Sequence, residues 1–307
     1  MAVERQNKIS ELGLIDYCKK IFKNRSPGII KGIGDDAAVI KIAQDKYLLF
    51  TCDMLIEDRH FTRKDNLFDV GYKSVACSLS DIAAMGGEPS FLLLSLGIPK
   101  NFKFSDAKRL LKGAKKAADK FGVDIVGGDT NASDKLIIDV SMGGFTKRKN
   151  LAFRDGAKEG DYIFVTGSLG GSIYGRHLKF MSRVKEAKFL TSRFKINSMI
   201  DITDGLVLDL WRVLKASGVG AVIFEKLLPR HKDAKSAKEV LYMGEDFELL
   251  LTVEKKVGDD LLNKIRQRKI KFPLSFIGKV IKDKAKVWLV TKNNKLANLK
   301  PCGFVHF

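Results

Sequence analysis

Met199-Ile200-Asp201-Ile202-Thr203-Asp204-Gly205-Leu206 runs from an apolar segment into two carboxylates three residues apart, with a hydroxyl between them and a glycine directly after. Residues 206–215 then follow a helical pattern. A buried strand, an acidic turn and a helix in succession put Asp201 and Asp204 at an element end, where side chains from separate segments converge. The same design recurs at Gly34-Asp35-Asp36, Thr51-Cys52-Asp53, Ser80-Asp81 and Gly128-Asp129-Thr130. Gathered carboxylates repel one another unless cations lie between them. The pattern points to metal ions and phosphate held by acidic turns.

Composition bounds the class. With 307 residues, 45% of them hydrophobic, the chain can bury a sizeable core, and its length suggests two domains. No stretch is apolar enough to span a bilayer and the first residues lack a signal-peptide core, so the expected compartment is the cytoplasm. Cys18, Cys52, Cys77 and Cys302 form no C-x-x-C pair, which excludes a zinc ribbon or a disulfide framework and leaves small buried residues as the expectation for all four. The formal charge of +19 raises nucleic acid or an anionic membrane as partners. However, the lysines are spread along helix faces, the cluster Lys147-Arg148-Lys149 falls in a linker, and no nucleic-acid module signature accompanies them.

In chain order, residues 9–23 read as an amphipathic helix closed by Ser26-Pro27-Gly28. Gly32-Ile33-Gly34-Asp35-Asp36-Ala37 fits the dinucleotide spacing G-x-G-x-x-A, but strands at 38–42 and 47–52 flank it where that fingerprint needs a helix. Two aspartates would also repel a bare diphosphate, so a metal-bridged reading stands. A helix over 69–85 ends at Gly86-Gly87, with Asp81 near the C-terminal end that disfavours a carboxylate. A strand at 91–98, a helix capped by Ser105 and running to residue 121, and strands at 123–126 and 135–145 follow. The charged, Gly-containing stretch 147–161 marks the boundary between domains 1–148 and 149–307. Beyond it come a strand at 162–166, a helix opened by Gly167-Ser168-Leu169-Gly170-Gly171, strand 219–224, helix 235–242 and, after Gly244-Glu245-Asp246, strand 247–253. Strands mixed with helices in both halves argue for two α/β layers.

The ordered blocks Gly34-Asp35-Asp36-Ala37, Asp53-Met54-Leu55 with His60, Leu79-Ser80-Asp81-Ile82-Ala83-Ala84-Met85-Gly86, Gly127-Gly128-Asp129-Thr130, Arg154-Asp155-Gly156, Asp201-Ile202-Thr203-Asp204-Gly205, Gly244-Glu245-Asp246-Phe247-Glu248 and Gly303-Phe304-Val305-His306-Phe307 resemble the thiamine-monophosphate kinase family nearly end to end. That family belongs to an ATP-binding superfamily shared with aminoimidazole ribonucleotide synthetase, selenophosphate synthetase and a hydrogenase maturation factor. The resemblance implies a two-domain α/β fold, with an N-terminal mixed sheet with helices forming a homodimer interface and a C-terminal α/β substrate domain. It implies in-line transfer of the γ-phosphoryl group of ATP to thiamine monophosphate with several Mg²⁺ ions. Its magnesium ligands fall on Asp36, Thr51, Cys52, Asp53, Asp81, Asp129, Asp201 and Asp204, and its nucleotide contacts on Gly128, Asp129, Arg154 and Thr203. Asp81, Asp201 and Arg154 would form the catalytic centre, and His60, Glu245 and Phe304 the thiamine side.

The residue types suit that chemistry. Phosphoryl transfer needs alignment and charge neutralisation, which aspartates holding Mg²⁺ supply. A phosphate monoester is largely dianionic at neutral pH, so no general base is required. Glu245 suits a cationic thiazolium and Phe304 a ring stack. Three positions depart from the family pattern: Cys52 replaces Ser or Thr, leaving only its carbonyl as a hard ligand; Met243 precedes Gly244 in place of a second glycine; and 185–198 is short. The alternatives are a superfamily enzyme acting on another phosphorylated small molecule, or a non-catalytic nucleotide-sensing or nucleic-acid-associated protein. Retention of every acidic turn speaks against the latter.

Overall fold

The computed structural model describes residues 10–304, so Val305, His306 and Phe307 of the C-terminal block lie outside the described residues. The first half comprises α1 (Glu11–Ile21), β1 (Ile29–Lys31), β2 (Ala38–Ala43), β3 (Lys46–Ile56), α2 (Leu67–Ala84), β4 (Glu88–Ile98), α3 (Phe104–Phe121), β5 (Asp124–Gly127), β6 (Thr130–Ala132) and β7 (Ile137–Thr146). Its sheet runs β1-β2-β3-β7-β4-β5, with β6 also on β4. All pairs are antiparallel except those of β4 with β5 and β6. The second half comprises β8 (Tyr162–Thr166), α4 (Val184–Arg193), β9 (Ser198–Asp201), α5 (Leu206–Ser217), β10 (Gly220–Phe224), α6 (Ala237–Tyr242), β11 (Leu249–Val253), α7 (Lys255–Arg266), β12 (Leu274–Ile281), β13 (Val287–Val290) and β14 (Leu296–Leu299). Its sheet runs β14-β13-β10-β12-β8-β11-β9, with only β10 and β13 parallel.

Period-two alternation sorts the buried residues. In β8, Tyr162 and Phe164 join the core that continues from the first half, while Ile163 and Val165 join a second core under α5 and α6. The second sheet is thus covered on both faces. In β3, Tyr47, Leu49, Thr51 and Leu55 are buried toward α2, whereas Phe50, Cys52 and Met54 on the alternate face are exposed. The first sheet therefore has one helix-covered face and one open face.

Helix α2 is the element both halves share. Asn66 caps it by accepting from Phe68 N at 3.0 Å, and Gly86, at φ 71°, ends it against the Asn150 carbonyl, leaving no space for a Cβ. Fourteen of its residues are buried, against β3, β7, α3, α4 and β9. Its buried polar residues Lys73, Ser74, Ser78 and Ser80 all have hydrogen-bond partners, as burial demands.

Several expected details fall differently. Ser105 does not cap α3: the cap position falls two residues earlier, at Lys103, and carries no side-chain cap. The 167–171 glycine stretch opens no α-helix, because Gly167, Gly170 and Gly171 all take positive φ and break the helical path; 3-10 turns at Ser172–Tyr174 and Arg176–Leu178 follow instead. Of the four cysteines only Cys77 is buried. Helix α1 forms, capped by Ser10, but none of its residues is buried. No helix among the described residues is long and apolar enough to cross a membrane.

A Cβ on Gly71 would stand 1.9 Å from the Leu110 carbonyl oxygen and one on Gly113 1.8 Å from that of Phe68, so α2 and α3 meet backbone to backbone. Gly71→Ala is expected to lower the unfolding free energy by about 2–3 kcal/mol, measured by urea denaturation; an unchanged midpoint would mean the helices part readily.

Candidate active site

Three segments deliver one carboxylate each. Asp36 comes from the turn before β2, Asp81 from the last turn of α2 and Asp201 from the end of β9, and one oxygen from each lies within 4.8 Å of the others. Asp201 is 2% exposed and Asp36 8%. Ser80 Oγ donates to Asp201 Oδ2 at 2.5 Å, and Thr51 Oγ1 lies 2.5 Å from Asp81 Oδ2 and 3.1 Å from the Asp36 carbonyl. Burial first, then neighbouring carboxylates, pushes the Asp81 and Asp201 carboxyls well above the usual range. Asp53, hydrogen-bonded to Asp81 and to Ser78 Oγ at 2.8 Å, is raised chiefly by burial. Arg154 answers part of this charge, donating to Asp36 Oδ1 from both Nε (3.2 Å) and a terminal nitrogen (2.5 Å), while its backbone N–H meets Asp35. Burial opposes the guanidinium charge, but Asp36 and Asp35 more than restore it. Asp36 Oδ2 is buried without a hydrogen-bond partner among the described residues.

The opening motif is held by a residue that composition and spacing did not single out. Asp209, in the first turn of α5, accepts the N–H groups of Thr203 (3.0 Å), Asp204 (2.9 Å) and Gly205 (3.2 Å) and is gripped by Arg212 at 2.6 Å. A helix-start carboxylate capturing three preceding amides turns 203–205 into a rigid nest. Arg212 also meets Asp204 Oδ2 at 2.5 Å, which draws Asp204 toward α5 and outside the three-carboxylate cluster. A cleft of about 880 Å³ opens here, lined by Asp35, Asp36, Thr51, Cys52, Arg154, Thr203, Asp204 and Arg212, with apolar walls from Leu12, Ile15, Phe50 and Trp211.

The remaining candidates separate into two groups. His60 and Glu245 come together through Lys73, whose Nζ donates to the His60 carbonyl at 3.0 Å and to Glu245 Oε1 at 2.5 Å. Phe304 N donates to the Asp204 carbonyl at 3.0 Å, which docks the C-terminal segment on the acidic loop; the Phe304 ring is 39% exposed. Asp129 and Gly128 stand apart. Both are exposed, and the register Asp53, Val140, Leu94 places Gly128 three strands from Asp53, about 14 Å away. Glycine at 128 answers a packing need, since a Cβ would strike the Leu94 carbonyl at 1.8 Å. The Cys52 thiol faces the open side of the sheet and meets Asp139 at 3.2 Å, so alternation along β3 turns it away from Thr51 and the cluster.

Residues 245–248 anchor the loop at 167–183. Asp246 accepts from Gly170 N at 2.9 Å and from Arg176 at 2.7 Å; Arg183 grips Glu248 with two 2.6 Å bonds; and Phe247 stacks on Phe180 at 3.8 Å. Met243, the residue in place of glycine, has its sulfur 3.2 Å from Gly171 N. Arg176 and Arg183 gave no signal because each lies about 70 residues from its partner.

Comparison with known proteins defines the class. Residues 34–146 match the family described as AIR synthase related protein, N-terminal domain, and residues 158–290 the corresponding C-terminal domain. A thiamine-monophosphate kinase of Buchnera aphidicola (subspecies Schizaphis graminum) is 35% identical over 97% of this chain and 99% of its own. One from Bacillus subtilis is 34% identical over 90% and 93%. A solved structure described as AaThiL complexed with AMPPCP and TMP superposes with a TM-score of 0.84 at 30% identity, covering 100% of this chain and 99% of that one. The chain belongs to the thiamine-monophosphate kinase family.

Burial pushes the carboxyls of Asp35, Asp209 and Asp246 up to about 6, about 7 and about 7. A carboxyl raised in the folded state holds its proton longer than in the unfolded chain, so its contribution to stability is greatest at low pH and is lost as pH rises from about 4 to about 7. Asp209→Asn, which cannot titrate, is therefore expected to show a smaller fall in melting temperature over that window than the unaltered chain. An equal or steeper fall would contradict the assignment.

Proposed function

We propose that this chain transfers the γ-phosphoryl group of ATP to the phosphate of thiamine monophosphate, forming ADP and thiamine diphosphate. The observation that carries the reading is the convergence of Asp36, Asp81 and Asp201 beside a cleft lined by Arg154 and Thr203. The names of the relatives and the AMPPCP and TMP of the AaThiL complex support it.

The donor set fits magnesium: three hard carboxylate oxygens converge, and Asp36 Oδ2 is a buried acceptor with no hydrogen-bond partner among the described residues. Asp36, Asp81 and Asp201 would hold the ion, with Asp53 beside Asp81 as a further oxygen donor. Bound magnesium neutralises and aligns phosphate oxygens. Arg154 presents a guanidinium that meets phosphate oxygens while keeping Asp36 in place. The nest at 203–205, locked by Asp209, holds Thr203 at the cleft. The acceptor monoester brings its own nucleophilic oxygen, so these residues align an in-line attack without removing a proton.

The reading extends to assembly and division of the chain. The open face of the first sheet carries exposed Ile42 (47%), Phe50 (41%), Met54 (51%) and Leu93 (42%), apolar surface of the kind that pairs two copies. The free apolar surface thus lies on the sheet, whereas helix α2 is spent on internal packing, so the homodimer interface we propose is strand-built. The domain division we propose falls at 148/149, between the last strand of one sheet and the first of the other.

Incubation with ATP, Mg²⁺ and thiamine monophosphate should yield thiamine diphosphate; ATP binding without product would overturn the assignment. Asp81→Asn and Asp201→Asn are expected to cut turnover by about 100-fold or more while leaving the melting temperature equal or higher, because each removes like-charge repulsion; a large fall in melting temperature would mark these carboxylates as structural. Met54→Asp should convert a dimer into a monomer by light scattering, and a persistent dimer would place the interface elsewhere.

A further inference from the structure

Lys73 is a fully buried lysine, 0% exposed, in the second turn of α2. Burying an ammonium is costly unless it is paired and hydrogen-bonded, and both its observed bonds cross between segments. One goes to the His60 carbonyl, just beyond β3, and the other to Glu245, 172 residues away in the second half. Glu245 sits in the left-handed region at φ 62°, a conformation that persists only where surroundings impose it. Its backbone is fixed independently of Lys73: its N–H donates to the Thr203 carbonyl at 2.6 Å and its carbonyl accepts from Ser172 Oγ at 2.5 Å. What Lys73 adds is control of the side chain. It holds Oε1, the carboxylate stays 24% exposed, and Oε2 has no hydrogen-bond partner among the described residues.

The placement along α2 gives this contact a purpose. Lys73, Cys77 and Asp81 succeed one another at intervals of four, and the buried Cys77 thiol feels the charges of Lys73 and Glu245 on one side and of Asp53 and Asp81 on the other. Eight residues of helix separate Lys73 from Asp81, about 12 Å. One rigid helix therefore spaces the Asp36, Asp81 and Asp201 cluster from a partly exposed carboxylate that suits an organic cation.

We propose that Lys73 is a positioning residue that orients Glu245 toward the cationic ring of the acceptor, and that α2 sets the distance between that ring and the phosphate. The proposal rests on the kinase reading above and deepens it. Lys73 takes half of the carboxylate and steers the other half, so a molecule bearing both a cationic ring and a phosphate monoester at this spacing is selected over a simple phosphate ester.

Steady-state kinetics test it. Lys73→Met is expected to raise KM for thiamine monophosphate about tenfold or more while kcat and KM for ATP stay within about twofold, the signature of lost uniform acceptor binding. Lys73→Arg, which keeps the charge, should recover part of the loss; Glu245→Gln should raise the same KM; and the double variant Lys73→Met/Glu245→Gln should be no worse than the poorer single one, because the two act as a unit. A change in melting temperature alone, or an equal rise in KM for ATP, would overturn the proposal and leave Lys73 as a structural clamp. Should Lys73→Met fail to fold, Glu245→Gln decides, and an unchanged acceptor KM overturns it. Wild-type protein that forms no thiamine diphosphate would defeat the kinase reading instead; calorimetric binding of thiamine monophosphate to wild type and Lys73→Met, or Glu245→Gln where Lys73→Met does not fold, would then decide the role of Lys73, with equal affinities, or no binding to either, overturning it.

Discussion

Like charge held in a dry place is the constraint on which the rest of this structure depends. Asp36, Asp81 and Asp201 converge within 4.8 Å, where burial and mutual repulsion both disfavour ionisation. Such an arrangement persists only if rigid elements impose it. The turn before β2, the last turn of α2 and the end of β9 do so, each anchored in its own packed layer. Hydroxyls from Ser78, Ser80 and Thr51 and the guanidinium of Arg154 supply the polar partners at hand. They do not satisfy Asp36 Oδ2, and that residual demand is the opening for a cation.

Helix α2 transmits the constraint across the molecule. Its apolar residues Val70, Val75, Leu79 and Ile82 are fully buried, and its polar residues Lys73, Ser78, Ser80 and Asp81 reach groups on β3, on β9 and in the Glu245 loop. The glycines at 71 and 113 let α3 press against it directly. Packing energy and site geometry therefore share one element, and a change that loosens α2 loosens the site. The second half contributes through Asp209, which locks the turn after β9, and through the Arg176 and Arg183 bonds that secure the loop beside Glu245.

The strand, acidic turn and helix around Asp201 were legible because apolar periodicity and a glycine bracket them, and β9 and α5 form as read. Asp36, Asp53 and Asp81 were legible because a carboxylate at the end of an apolar run is hard to place anywhere but a site. The glycines at 167–171 misled because glycine permits a helix start and a left-handed turn alike, and tertiary packing chose the turn. Asp129 and Cys52 looked equivalent to their neighbours in sequence, yet strand order displaces one and alternation reverses the other. Lys73, Asp209, Arg176 and Arg183 were illegible as functional residues. Their meaning lies in a partner that only folding brings near, or, for Asp209, in three backbone amides that no side-chain pattern reveals.

Titration with Mn²⁺, followed by its electron paramagnetic resonance signal in the presence of AMPPCP, tests the central claim most directly. The unaltered chain should bind the ion at a site that Asp36→Asn, Asp81→Asn and Asp201→Asn each weaken by about tenfold or more, as expected when one of three charged ligands is lost. Mn²⁺ affinity unchanged in all three variants would contradict a cation site built by this convergence and would leave the cluster without its proposed role.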